Sequence, residues 1–543
     1  MRSRAVIVTA VFGAALVTGG WLLQRGLDDG ASRLGGARLL HQVMAHVQEH
    51  YVDSVSGETL YRLATEGLLT ELGDPHSVYL PPERLARLNE TTSRQYGGLG
   101  VNIDVRDGWI VVIASLPGSP AERAGIRTGD RIVRIDSAGT HDFTPDEAQR
   151  ALRGAPGSSV RLVVETPGSS EPRTVSVRRE QIRVSAVQRA SVLRDGVGYV
   201  DVNVFGDSTT PELVRAVDSL RAAGMRTLII DLRRNPGGLL AQGVAVADLF
   251  LGRGDTVLTT RGRTADANAT YADETAQRWR DMPVVVLVDQ GSASSAEIVA
   301  GALQDHDRAL VVGRTTFGKG SAQSVIPTSG GGALKLTTAR WFTPLGRAIG
   351  RAPGDTLEDE EADVSDEEGL ELPPPGGRPR PRFTTPGGRT VYGGGGITPD
   401  VVTGDTAIPP AELALQQALG GDVAKFRDAM TDFALQVKAQ GIITSPDFEV
   451  TPAIRDAFYQ RLVQRGLGVD RAVYDGAEPL VARLLGVEIT RYVFGRAAEF
   501  RRVAAGDPTI QTALSVAAGA RSQRELFERA ARLRVPPTAT ARR

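Results

Sequence analysis

Apolar residues recur along this chain with two periods, and the alternation between them outlines its organisation. Val284 to Val288 is an unbroken apolar run, too short for a helix and rich in β-branched residues, which predicts a buried strand. Gly291 breaks the pattern, a serine-rich turn follows, and Ala296 to Asp305 spaces small and apolar residues as a helix does. A second run, Ala309 to Val312, closes a βαβ unit, whose two strands must be parallel. Upstream the pattern repeats. Val197 to Phe205 alternates like a strand, PELVRAVDSLRAAG forms an amphipathic helix, and TLIIDLR is another buried strand. Downstream, GGALKLTTARWFTPLGR reads as one long alternating strand. Residues 36–90 are expected to be helical. Helical periodicity returns from Ala411 in ELALQQALG, DVAKFRDAMTDFALQVKAQ, TPAIRDAFYQRLVQRG and RYVFGRAAEFRRVAAG.

Composition adds boundaries. At 543 residues the chain should hold several domains. About residues 351–396 turn acidic (LEDEEADVSDEE) and then Pro/Gly-rich (PPPGGRPRPR), a composition unable to bury a core, and so are expected to form a mobile loop. Two arginines in Met1 to Arg4 precede a charge-free stretch, Ala5 to Leu23, long enough to span a bilayer. VTGGWLLQR lacks a clear small-residue cleavage site, so an uncleaved anchor is favoured over a signal peptide. Both readings place the remainder outside the cytoplasm. The net charge of −1 argues against a nucleic-acid partner, and the absence of cysteine excludes disulfides and thiolate chemistry.

Charge also singles out one residue. Only four of the 63 Lys plus Arg are lysines: Lys319, Lys335, Lys425 and Lys438. A lysine that survives such a bias toward Arg is one whose chemistry matters. What Arg lacks is the ability to lose its proton, which burial promotes in Lys. Lys319 sits in the glycine turn after the second strand, and Ser294 in the turn after the first. Chemistry in parallel sheets gathers at carboxyl strand ends, so both should open on one edge. A serine–lysine hydrolase site follows, with Ser294 as nucleophile, neutral Lys319 as general base and Gln323 orienting the amine. The N–H of Ser295, at a helix N-terminus, favours an oxyanion.

Plainer readings compete. Ser294 with Glu297 fits the capping box S-x-x-E, so the serine could simply cap a helix. Gly313 to Lys319 fits the start of a phosphate-binding loop, yet Gly320 stands where Ser or Thr is required and SAQSVIPT is β-like. His46 to His50 spells H-x-x-E-H, a zinc-protease signature, in a short region with no domain to enclose a metal, and no metal or other cofactor is expected.

GSASSAEIVAGALQD followed by VVGRTTFGKGSAQ resembles the carboxyl-terminal processing proteases, serine peptidases of the tail-specific protease family (S41). The resemblance implies the same roles for Ser294, Lys319 and Gln323, and the interval of 25 residues from serine to lysine agrees with it. One departure is visible: the turn reads GSASSAE, which makes Ser295 a neighbouring hydroxyl that confuses the assignment. RRNPGG resembles the family's D-L-R-x-N-P-G-G, implying that the Gly237–Gly238 turn supplies the second oxyanion donor. Asp305 matches an acidic residue of structural use. Gly73 to Leu80 matches a GDPHSVYL-like segment, and GITPD resumes the pattern at Gly396.

Residues 94–180, with RQYGGLGVNIDV and SPAERAGIRTGDRI, resemble a PDZ domain. Its carboxylate-binding loop would be Gly98, Leu99 and Gly100, capturing a free chain terminus that adds as a strand. The implied fold class is multi-domain α/β plus α+β: a crotonase-like βαβ protease core preceded by a PDZ domain, with helical regions at both ends. The expected boundaries are 1–25 membrane segment, 26–92 helical arm, 93–182 PDZ domain, 183–405 protease core and 406–543 helical appendage. The implied function is cleavage near the carboxyl terminus of extracytoplasmic proteins, whose free C-termini are the expected partners. Attachment to the inner membrane would run through the N-terminal segment. A homodimer, an adaptor protein and an inactive PDZ scaffold that only binds are left open.

Overall fold

The computed structural model describes residues 35–106, 108–166, 171–351, 380–404 and 408–533. The expected membrane segment, residues 1–25, lies outside them, and among the described residues no helix is long and apolar enough to cross a membrane. The chain divides into two compact units, residues 1–85 with 323–337, and residues 86–322 with 338–543.

In the first unit residues 35–50 are helical, and a helix Gly57–Glu71 follows, capped by the Ser56 hydroxyl on the Thr59 N–H. Both helices leave large apolar side chains in solvent: Leu39, Leu40, Val43, Leu63 and Leu68 are exposed. His46, Glu49 and His50 gather their ligand-type atoms within 4.8 Å, but all three are exposed and no wall encloses them. In the Gly73–Leu80 segment Asp74 accepts from the His76 N–H and the Ser77 hydroxyl. The strand Val78–Leu80 then pairs antiparallel with residues 333–335.

The second unit is built on a six-stranded sheet. From the antiparallel edge strand Val187–Val192 it runs through Val197–Val202, Thr227–Asp231, Val284–Val288 and Leu310–Gly313 to Val401–Val402, all parallel after the first pair. The unbroken apolar runs are explained by burial on both faces. Val284, Val286 and Val288 point into a core with the helices Thr209–Ala222, Leu240–Asp248 and Ser295–Asp305. Val285 and Leu287 point the other way. There Phe500, Ile510, Leu514 and Leu526, from the helices Arg496–Gly506, Pro508–Ala517 and Gln523–Leu533, cover them. Much of the expected C-terminal appendage is therefore the second layer of the six-stranded sheet. The remaining C-terminal helices close a separate core around Phe433, Phe458, Tyr474 and Leu485.

A five-stranded antiparallel path, 101–106 to 173–178, encloses its own core of Leu99, Ile110, Ile132 and Leu162, as a PDZ domain should. Its edge strand Val101–Arg106 is tied to the C-terminal helices by a buried ion pair, Arg106 Nη1 to Glu488 Oε1 at 3.4 Å.

One expectation needs correcting. Of the segment 351–396 expected to be mobile, residues 352–379 lie outside the described residues, but 380–396 are ordered. Arg382–Thr384 and Thr390–Tyr392 form a hairpin with Val391 buried. Arg389 holds it down through Asp307, at 2.6 Å, and through Asp400. Glycine and proline content concealed these few charged and apolar anchors.

Candidate active site

Three turns leave the sheet at the carboxyl ends of neighbouring strands: residues 232–239 after Thr227–Asp231, 289–295 after Val284–Val288, and 314–320 after Leu310–Gly313. Short polar side chains stitch them together. Asp289 Oδ1 accepts from the N–H groups of Gly291, at 2.9 Å, and of Arg234, at 2.8 Å, in the neighbouring turn. The Ser292 hydroxyl donates to the Leu232 carbonyl at 2.8 Å, and the Ala293 N–H to the Asn235 carbonyl at 2.9 Å. The third turn joins through the Phe317 N–H, 3.0 Å from the Ser292 carbonyl.

Ser294 emerges from this frame with φ +54° and ψ −115°, a region L-residues rarely occupy. Such a conformation costs about 1–3 kcal/mol and persists only where the surroundings over-determine it. Ser294 is partly exposed, whereas Ser295 is fully buried, its hydroxyl directed to the carbonyls of Gly238 (3.3 Å) and Leu239 (3.1 Å). Of the two neighbouring serines only the first has its side chain open to a substrate. The Ser295 N–H, in the first turn of its helix, has no acceptor among the described residues.

The glycine turn abuts the serine. A Cβ built on Gly237 would lie 2.7 Å from the Ser294 Cβ and 2.9 Å from the Ser295 nitrogen, so any larger residue would fill the space beside Ser294. Gly237 has φ +90° and Gly238 φ +146°, both glycine territory. The Gly237 N–H is already donated to Asn235 Oδ1 at 2.8 Å, while the Gly238 N–H has no acceptor among the described residues. Gly238 and Ser295 thus carry the two open donors, and Gly237 shapes the turn.

Lys319 is partly buried and its main chain is held on both sides. Its N–H donates to Glu297 Oε2 at 2.9 Å, and its carbonyl accepts from Trp341 Nε1 at 3.1 Å. The Ser294 N–H donates to that same Glu297 oxygen at 2.7 Å. One carboxylate atom therefore bridges the main chains of the two residues, 25 positions apart. The turn that bears Lys319 runs into the strand Ser321–Pro327, with no helix N-terminus to cradle a phosphate. Gln323 belongs to the other compact unit, where its side-chain amide donates to the Thr337 hydroxyl at 3.3 Å. In the PDZ domain, Gly98–Gly100 lead into the edge strand Val101–Arg106, Leu99 is buried, and Gly100 has φ +70°.

The profile of peptidase family S41 matches residues 196–355, and that of the PDZ domain residues 111–166. A carboxy-terminal-processing protease of Bartonella bacilliformis is 35% identical over 311 residues, which span 56% of this chain and 71% of the relative. The chain belongs to the carboxy-terminal processing proteases of peptidase family S41. The carboxy-terminal processing protease CtpA of Bacillus subtilis is 32% identical over 350 residues, 63% of this chain and 73% of that one. Among solved structures, a photosystem II D1 C-terminal processing protease is 31% identical, covers 56% of this chain and 82% of its own, and has a TM-score of 0.33.

Several residues of this S41 peptidase site carry no role in the sequence reading. Glu297 was visible there only as half of a capping box. Asn235 stands in the RRNPGG turn without an assigned function. Asp231, buried, and Arg233, half-buried, pair at 2.7 Å, with Tyr199 donating to Asp231 and Asp507 of the C-terminal helices gripping Arg233 at 2.8 Å. These carboxylates hold the Arg233 guanidinium well above its ordinary pKa, against the opposing effect of burial. Asp305 is buried against Arg347 at 2.5 Å, the structural use expected of it.

Proposed function

We propose that this S41 peptidase is a serine–lysine endopeptidase acting near the carboxyl termini of extracytoplasmic proteins. The observation that carries the reading is the shared oxygen of Glu297, which keeps the Ser294 turn and the Lys319 turn together at one sheet edge. Ser294 Oγ attacks the scissile carbonyl carbon while neutral Lys319 Nζ takes its proton. The oxyanion that forms accepts hydrogen bonds from the Ser295 and Gly238 N–H groups, the latter presented by the Gly237–Gly238 turn. Collapse of the tetrahedral intermediate expels the amine, which receives the proton from Lys319, and leaves an acyl ester on Ser294. Water, deprotonated by the same lysine, then hydrolyses the ester. The family resemblance gives Gln323 the role of supporting the lysine.

The loop Gly98–Leu99–Gly100 would take the substrate's terminal carboxylate on its N–H groups, and the open side of the Val101–Arg106 strand would take the preceding residues as an added strand. The Ala5–Leu23 segment would anchor the chain on the outer side of the cytoplasmic membrane. The core is read as a crotonase-like spiral.

The test is cleavage of an unfolded protein, followed by mass analysis of its fragments. Ser294→Ala and Lys319→Ala should each abolish cleavage with unchanged thermal unfolding. Lys319→Arg should be equally inactive, because a guanidinium stays protonated. Full activity in the arginine variant would remove Lys319 as general base. A wild-type protein that binds but never cuts would leave a PDZ scaffold.

A further inference from the structure

Glu297 is more than a helix cap. A capping glutamate at the third helical position needs one bond, to the N–H of the N-cap residue. That bond is present, from the Ser294 N–H to Oε2. Three further donors converge on the same side chain, all from the turn that bears Lys319. The Thr316 hydroxyl, at 2.5 Å, and the Gly318 N–H, at 2.7 Å, donate to Oε1, and the Lys319 N–H donates to Oε2 at 2.9 Å. The carboxylate is completely buried, an unfavourable place for a charge. The Thr316 hydroxyl accepts from the Ile397 N–H at 2.7 Å, so its own proton is committed to Glu297. All four groups facing Glu297 are therefore donors. An ionised carboxylate satisfies each of them, whereas an amide would set its NH2 against at least one donor.

We propose that Glu297 is a positioning residue of the reaction, a buried carboxylate that locks the nucleophile's turn and the lysine's turn into one rigid piece. The claim rests on the Ser294–Lys319 reading above. Because the Ser294 and Lys319 amide nitrogens share one oxygen, their separation cannot exceed the sum of two hydrogen-bond lengths. Any rearrangement that parted the two turns would strip a buried carboxylate of its donors. Among the described residues Glu297 makes no hydrogen bond to the Gly237–Gly238 turn, which is tied to the serine's turn by other groups. An off state of this peptidase would thus keep its serine and lysine main chains together and change elsewhere.

The experiment uses the full chain and steady-state cleavage of a peptide with a free carboxyl terminus. Glu297→Gln should lower kcat about 100-fold, the scale of a small misplacement of reacting groups, with KM within about threefold. Thr316→Val, which deletes one donor, should lower kcat about tenfold. Thr316→Ser should recover most of that loss, and Glu297→Gln/Thr316→Val should be no worse than Glu297→Gln. If Glu297→Gln does not fold, the Thr316 pair decides alone. A kcat within threefold of wild type in Glu297→Gln, or in Thr316→Val, overturns the proposal. So does a defect that falls on KM instead. Activity in Ser294→Ala would sink the underlying reading, whereas an inactive Ser294→Ala beside an active Glu297→Gln sinks only the lock.

Discussion

The two ends of this chain look alike in sequence and behave differently in structure. Both are helical and amphipathic. The N-terminal helices, residues 35–50 and Gly57–Glu71, bury Met44, Leu60 and Leu69 but leave Leu39, Val43, Leu63 and Leu68 in solvent. The last three C-terminal helices bury Ile510, Leu514, Leu526 and Ala530 against the catalytic sheet, and Asp507 reaches the strand end that leads into the glycine turn. The lesson is that periodicity reports a helix's need for a partner and is silent on which partner meets it. Small residues hint at the answer: Ala504, Ala513 and Ala517 let helices lie close to a flat, β-branched sheet face.

Three measurements test that contrast. The largest effect should come from ending the chain after Gly495, which uncovers one whole face of the sheet. No soluble protein with a cooperative thermal transition is expected, whereas starting the chain at Asp53 should leave the main transition in place. Next, Leu514→Ala should destabilise by about 2–4 kcal/mol in urea unfolding, since a fully packed leucine leaves a cavity. Leu63→Ala, half exposed, should change stability by less than about 0.5 kcal/mol. Equal losses at the two positions would mean that the ends are alike after all. The smallest effect should come from Asp507→Asn. It keeps the helix cap on the Ile510 N–H but removes the charge paired with Arg233. A loss of about 1 kcal/mol is expected, shrinking as salt is raised, because the pair is partly open to solvent.

The same contrast explains what was legible in the sequence. Strands sheltered on both faces announce themselves as unbroken apolar runs, so 227–231, 284–288 and 310–313 could be read directly. The turns that carry Ser294 and Lys319 were legible because each follows a strand end and is marked by glycine. Glu297 was half legible, because one of its four bonds is local and three reach a turn about twenty residues away. Gln323 was assigned to the lysine on chain spacing and family resemblance, neither of which fixes where its side chain points. The helical run through RYVFGRAAEF is broken at Gly495, whose φ of +81° separates two helices that periodicity had merged. The 380–396 hairpin was missed since ion pairs to Asp307 and Asp400 anchor it, and composition is blind to such pairs.

The backbone of Ser294 has a last implication. A residue held at φ +54° would relax if it were glycine, and glycine carries no hydroxyl. Selection for a sturdier fold and selection for turnover therefore pull on this codon in opposite directions. The wild-type protein should sit below the greatest firmness its own scaffold allows, with the shortfall concentrated in the backbone of the serine proposed to do the cutting.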